Sequence, residues 1–142
     1  MRTTLRRNER GAALLETAVT IPIILLISVA IFEFGRAYQT WQVLTNAARE
    51  GARISVLIDK TDDDVQAAVR NYMQAGGLPG YASAGVVIDR SVPMGTNTGS
   101  RITVNYPFSF IVLNGVAKLV SKGSTAGDSL TMQSVALMRN EL

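Results

Sequence analysis

Residues 11–32 form a run of 22 residues carrying one charge, Glu16, and that run limits everything the rest of the chain can do. A helix rises about 1.5 Å per residue, so this length covers the roughly 30 Å hydrocarbon layer of a bilayer. The pattern predicts a transmembrane helix over residues 12–34. Arg2, Arg6, Arg7 and Arg10 precede it, opposed only by Glu9. Positive flanks stay in the cytoplasm, so residues 1–11 read as a basic cytoplasmic leader and residues 35–142 as an extracytoplasmic domain. A secretory signal peptide shares the basic start, but its apolar part is shorter and ends in small residues. Here the run passes into Phe32-Glu33-Phe34-Gly35-Arg36 without a convincing small-x-small site.

Glu16 stands out because a lone carboxylate costs about 2.5 kcal/mol or more at mid-membrane and less near the interface. Two readings are open. Glu16 sits a turn or two inside the boundary and reaches back to the headgroups, or it awaits a cationic partner supplied by another subunit.

The basic balance belongs to the leader. The chain has 14 basic and 11 acidic residues, a formal net charge of +3. Taking away the four arginines and one glutamate of the first eleven residues leaves ten of each sign. No basic face remains in the body of the chain for a nucleic acid. There is no cysteine and no histidine, which removes thiol nucleophiles, the commonest general base and the commonest transition-metal ligand. Serines and threonines are plentiful, but none has an evident base, and no phosphate-binding glycine loop or H-E-x-x-H pattern occurs. The expectation is a protein that is not an enzyme, with no catalytic residue, no metal and no cofactor.

Beyond the membrane the helical pattern continues. Tyr38, Trp41, Leu44, Ala48, Ala52 and Ser55 recur at three- and four-residue spacing, with Gln42, Asn46, Arg49 and Arg53 on another side. Tyr38 and Trp41 suit the outer headgroup level. One continuous helix is expected from about Ala12 to about Leu57, on the order of 70 Å long. Pro22, which has no N–H for the carbonyl of Ala18, is expected to bend it. The small residues Ala47, Ala48, Gly51 and Ala52 invite close packing, by a sheet of the same chain in preference to a partner helix.

Asp59-Lys60-Thr61-Asp62-Asp63-Asp64 resembles a cation site at first sight, but it reads better as a helix start. Thr61 is a good N-cap, and acidic residues suit the first turn. Val65, Ala68, Val69, Tyr72 and Met73 then give an apolar face, and Gly76-Gly77 end the helix. The period changes after Pro79. Residues 85–92 read as a strand, residues 93–100 as a long polar hairpin tip, residues 101–106 as an alternating strand and residues 130–138 as a third. Residues 108–120 are apolar but too few to span a membrane. They read as a buried loop with one or two helical turns or, alternatively, as an exposed patch that touches the membrane or another subunit. The fold class is therefore α+β: a long N-terminal transmembrane and amphipathic helix packed on a small three-stranded antiparallel sheet, with one additional short helix.

The stretch Arg10-Gly11-Ala12-Ala13-Leu14-Leu15-Glu16-Thr17, then Pro22, then Phe32-Glu33-Phe34-Gly35-Arg36, then Leu44-Thr45-Asn46-Ala47-Ala48-Arg49-Glu50-Gly51-Ala52-Arg53 resembles the TadE-like family. Its members are minor pilins, or pseudopilins, of the tight-adherence (Tad/Flp) branch of type IV pili. The resemblance is specific as far as about residue 57 and architectural beyond. Thr17 stands where the major pilins of that system carry tyrosine. The resemblance implies cleavage between Gly11 and Ala12 by a prepilin peptidase, with Glu16 as the matching glutamate. It also implies subunit packing through Glu16, Pro22 and Glu33 in a helical bundle, where Glu16 meets the free amine of a neighbour's Ala12. The implied partners are the lipid bilayer, other pilins and pseudopilins (a TadF-like partner and the major Flp pilin), the prepilin peptidase and the inner-membrane pilus platform. The implied location is the inner membrane, single-pass, with incorporation into a pilus. The rival reading is an uncleaved single-pass protein presenting a scaffold or binding domain.

Overall fold

An apolar run that flows without a break into an amphipathic one makes a single long helix, and the computed structural model shows it. It describes residues 5–120 and 128–140. Residues 1–4, at the beginning of the leader, 121–127 and 141–142 lie outside the described residues. Helix α1 runs over Leu5–Ser55, so it begins inside the leader and passes through Arg10, Gly11 and Ala12. Pro22 lies within it. The Thr17 and Thr20 hydroxyls donate to the carbonyls four residues back, at 2.8 and 2.7 Å.

Helix α2 spans Asp62–Ala75 and starts as the acidic cluster predicts. The Thr61 hydroxyl accepts from the Asp64 N–H, and the Asp64 carboxylate accepts from the Thr61 N–H at 3.0 Å, closing a capping box. Val65, Val69 and Met73 are buried, while Tyr72 is exposed. A single 3-10 turn at Tyr81–Ser83 leads into the sheet.

Strands β1 (Gly85–Met94), β2 (Asn97–Phe108) and β3 (Leu130–Arg139) form an antiparallel sheet in that order. The hairpin is tighter than its composition suggests. Met94 pairs with Asn97 across Gly95 and Thr96, and Gly95 takes the positive φ of 65° that a two-residue turn requires. The polar residues 97–100 belong to β2: Asn97, Thr98 and Gly99 pair with Met94, Pro93 and Val92 of β1, and Gly99 and Ser100 lie opposite Arg139 and Met138 of β3. On β2, Ile102, Val104, Tyr106 and Phe108 alternate inward and are buried.

Helix α3 (Val112–Val120) joins β2 to the segment before β3. Residues 108–120 are therefore not a buried loop: Phe108 closes β2, a nine-residue helix follows, and Ile111 and Val112 are exposed. Among the described residues, α2 and α3 are two additional helices besides the 3-10 turn.

The core lies between α1, α2 and the inner face of the sheet, and it contains Leu44, Ala47, Ala48, Ala52, Val65, Val69, Met73, Ile102 and Val104. The buried stripe of α1 reads Glu33, Thr40, Leu44, Ala47, Ala48, Ala52 and Ser55. It keeps Leu44, Ala48, Ala52 and Ser55 of the expected stripe and departs from it at Tyr38 and Trp41, which face outward with their rings tilted against one another, centroids 6.2 Å apart. Gly51 shows why the small residues are there. A Cβ on it would stand 2.6 Å from Val69 Cγ2 of α2 and 3.3 Å from Ile102 Cγ2 of β2. The nearest neighbour is thus a helix of the same chain, with the sheet next.

Candidate functional site

The apolar half of α1 supplies one candidate surface. Leu14, Leu15, Val19, Ile21, Ile23, Ile24, Leu25, Leu26 and Ile27 are all more than half exposed or close to it. The most apolar window of the helix is wholly unburied by the rest of the chain. It is one helix long and apolar enough to cross a membrane. A rod of this kind needs lipid or other apolar helices around it.

The structure places the sequence-derived residues along this rod. Gly11 and Ala12 lie on its surface, and a Cβ on Gly11 would meet nothing within 4 Å. Glu16 and Pro22 are likewise exposed. Glu33 is different: it is fully buried against the outer domain. The five are strung along one helix and do not converge. From Glu16 to Glu33 the rise is about 25 Å.

The surroundings of Glu33 make a second site, and sequence reasoning does not supply its construction. Glu33 Oε1 accepts the Val112 N–H at 2.6 Å, and Oε2 accepts from Arg36 Nη1 at 3.1 Å. Arg36 Nη2 donates to the Ser109 carbonyl at 3.0 Å, and its guanidinium lies over the Phe108 ring, 5.1 Å from the centroid. The Glu33 carboxylate thus serves as an acceptor for the first turn of α3, whose leading N–H groups have no intrahelical partner. Phe110 completes the joint, edge-on to Phe108 at 5.2 Å and to Phe34 at 6.1 Å. The i,i+3 spacing of Glu33 and Arg36 is visible in the sequence as an ion pair. That Val112, 79 residues away, completes it is not.

Beside this joint a groove of about 320 Å³ is lined by Arg36, Gln39, Thr40, Leu78, Pro79 and Tyr106, among others. The Tyr106 hydroxyl donates to the Pro79 carbonyl at its edge, and burial pushes that hydroxyl's pKa up. Among the described residues no group of three or more Asp or Glu side chains gathers to hold a metal.

Arg90 holds the far end of α1. A break in the β1–β2 register between Asp89 and Val92 marks an irregularity at Arg90. The Arg90 guanidinium donates to the Ser55 carbonyl at 2.8 Å, the Lys60 carbonyl at 3.0 Å and Asp62 Oδ1 at 2.9 Å. It closes the last turn of α1 and the loop before α2 in one contact. Nothing in the local sequence singles it out.

A comparison with family models finds a match to TadE-like protein over residues 11–53, the segment that carries the resemblance read from the sequence. No curated protein and no solved structure matches the chain.

Proposed function

We propose that this chain is a minor pilin, or pseudopilin, of a Tad/Flp-type pilus. It is anchored by residues 12–34, with residues 1–11 as a cytoplasmic leader and residues 35–142 outside. The observation that carries this reading is the match to TadE-like protein over residues 11–53, which covers the apolar rod and the helix that bears the outer domain. The geometry supports it: the rod is exposed on every side over residues 11–28 and is continuous with its domain. Such a rod can leave lipid for a bundle of similar helices without repacking its own core.

In this reading the prepilin peptidase cuts between Gly11 and Ala12. The bond lies in helical backbone, and a protease must unwind it. Glycine in a helix interior costs about 1 kcal/mol relative to alanine, so Gly11 is where the end of α1 unwinds most cheaply. Glu16 then faces the free amine of Ala12 on a neighbouring subunit. Pairing removes an isolated charge from an apolar setting and rewards correct register. Pro22 accompanies Glu16 in subunit packing, whereas Glu33, buried in its own domain with both oxygens occupied, is not offered to a neighbour; pilins, the TadF-like partner and the platform proteins are the partners. No step in this role calls for catalysis.

The test is the N-terminus of the chain recovered from membranes of cells that carry the prepilin peptidase. A mature chain beginning at Ala12, eleven residues shorter, supports the reading. Gly11→Ala should keep those eleven residues, and Glu16→Ala should insert in the membrane but drop out of pili. A chain that begins at Met1 and never enters a fibre refutes it. That outcome favours an uncleaved single-pass scaffold, to which the unbroken helix from Leu5 is equally suited.

A further inference from the structure

We propose that α3 is a membrane-surface element: it lies on the outer leaflet of the bilayer, held there by Glu33. This rests on the reading that residues 12–34 span the membrane, and it concerns the outer domain rather than the fibre. The first observation is one of level. Glu33 follows the last residue of the apolar run, and its carboxylate accepts the Val112 N–H at 2.6 Å. The N-terminus of α3 is therefore fixed at the height where the span leaves the hydrocarbon.

The second observation is continuity. Phe34, at the end of the span, is 62% exposed and meets Phe110 edge-on, and the next residues, Ile111 and Val112, are 64% and 41% exposed. The exposed apolar surface of the rod thus runs without a break through Phe34 and Phe110 onto the start of α3. Lys118, in the last turn of α3, is exposed, and a lysine at that place can reach lipid phosphates while its stem stays apolar. Tyr38 and Trp41, one to two turns beyond Phe34 and exposed, mark the headgroup level on α1.

The third observation is chemical. A carboxylate at the edge of hydrocarbon is costly unless its oxygens are occupied. Both oxygens of Glu33 are occupied, by Val112 and Arg36, so the joint can sit at this depth. The open face of the sheet carries its own exposed apolar residues, Val87 and Val135, in the row that pairs through Thr103. That row is five residues along β2 from Phe108, about 17 Å, on the face of the sheet opposite the one packed against α1.

The chain has no cysteine, so single cysteines can be placed freely for nitroxide labelling. The full chain would be reconstituted in vesicles of mixed zwitterionic and anionic phospholipid, with labels at Ile111→Cys, Leu26→Cys and Val87→Cys. Collisions of each nitroxide with oxygen, which concentrates in lipid, are compared with those of a water-soluble nickel complex. Position 111 should prefer oxygen, as position 26 does, while position 87 prefers nickel. Adding Glu33→Ala should turn position 111 toward nickel and leave position 26 unchanged.

A nickel preference at position 111 in the otherwise unaltered chain overturns the inference. So does shielding from both reagents, the signature of a contact between subunits. Failure of Glu33→Ala to move position 111 overturns the positioning role of Glu33. A nickel preference at position 26 overturns the span itself, and α3 with it.

Discussion

Glu33→Ala is the substitution with the most to reveal, because the side chain is fully buried and its two oxygens do separate jobs. Losing Oε1 leaves the Val112 N–H without its acceptor at a helix start. A hydrogen bond to a charged group contributes about 1.5–3 kcal/mol. Losing Oε2 matters less, since the Arg36 side chain is 30% exposed and can turn to water. The net cost is about 2 kcal/mol, concentrated on the first turn of α3, or roughly 30-fold at 1.36 kcal/mol per decade. Hydrogen exchange of the full chain in vesicles, read on fragments covering residues 108–118, should therefore quicken about 30-fold at Val112.

Glu33→Gln keeps an acceptor of the same shape and should cost about 1 kcal/mol, roughly fivefold. Arg36→Ala is harsher than either, because it leaves a buried carboxylate without its cation, a loss of about 3–5 kcal/mol where burial is complete. Removing Glu33 as well should then recover part of the loss. Exchange within twofold of the unaltered chain for Glu33→Ala, or a milder effect for Arg36→Ala than for Glu33→Ala, would refute this account.

Other expectations follow from the packing of α1 and α2. Gly51→Ala places a methyl 2.6 Å from Val69 Cγ2, and this overpacking, about 1–3 kcal/mol, should outweigh the gain of up to about 1 kcal/mol in helix propensity. Val69→Ala in the same chain should relieve it, so chemical unfolding should show the pair as less than additive. Arg90→Ala removes three hydrogen bonds at the end of α1. Since its side chain is 35% exposed, the loss should be about 2 kcal/mol, seen as faster proteolysis within residues 56–61. The Asp64 carboxylate is held below the usual aspartate range, chiefly by the Thr61 N–H and then by its hydroxyl. A depressed folded-state pKa contributes stability that is present above about pH 4 and lost as pH falls through the lowered value. Asp64→Asn should remove that share of the acid dependence, read as a flatter midpoint temperature between pH 4 and pH 2.

Local chemistry made some elements legible in the sequence. The N-cap at Thr61 with its acidic first turn and the inward alternation from Ile102 to Tyr106 are patterns of near neighbours, so residue order alone exposes them. Residues 97–100 look like a loop because Asn97, Thr98, Gly99 and Ser100 are small and polar. Asn97 to Gly99 pair back onto β1, and Gly99 and Ser100 gain β3, some forty residues later, where the Ser100 hydroxyl donates to the Asn140 side chain at 2.9 Å. The stripe of α1 misleads for a related reason. Its buried members at the membrane end are Glu33 and Thr40, polar residues that a pattern built on hydrophobicity passes over in favour of Tyr38 and Trp41; Glu33 is tolerable inside because Val112 and Arg36 satisfy it. Glu16 and Gly11 are conspicuous from the apolar run around them. The joint at Glu33 and the clamp at Arg90 need contacts with chain 79 and 35 residues distant, which spacing does not encode.

Because α1 is one uninterrupted shaft from Leu5 to Ser55, the compass bearing of each residue in the bilayer is tied to the face the outer domain presents. From Glu16 to Glu33 the shaft turns about 4.7 times at 3.6 residues per turn, which leaves the two acids about a quarter-turn apart. Glu33 points into its own domain, so Glu16 points past the domain's flank. Any molecule that engages Glu16 arrives from the side, and by doing so it sets the direction in which the sheet looks outward.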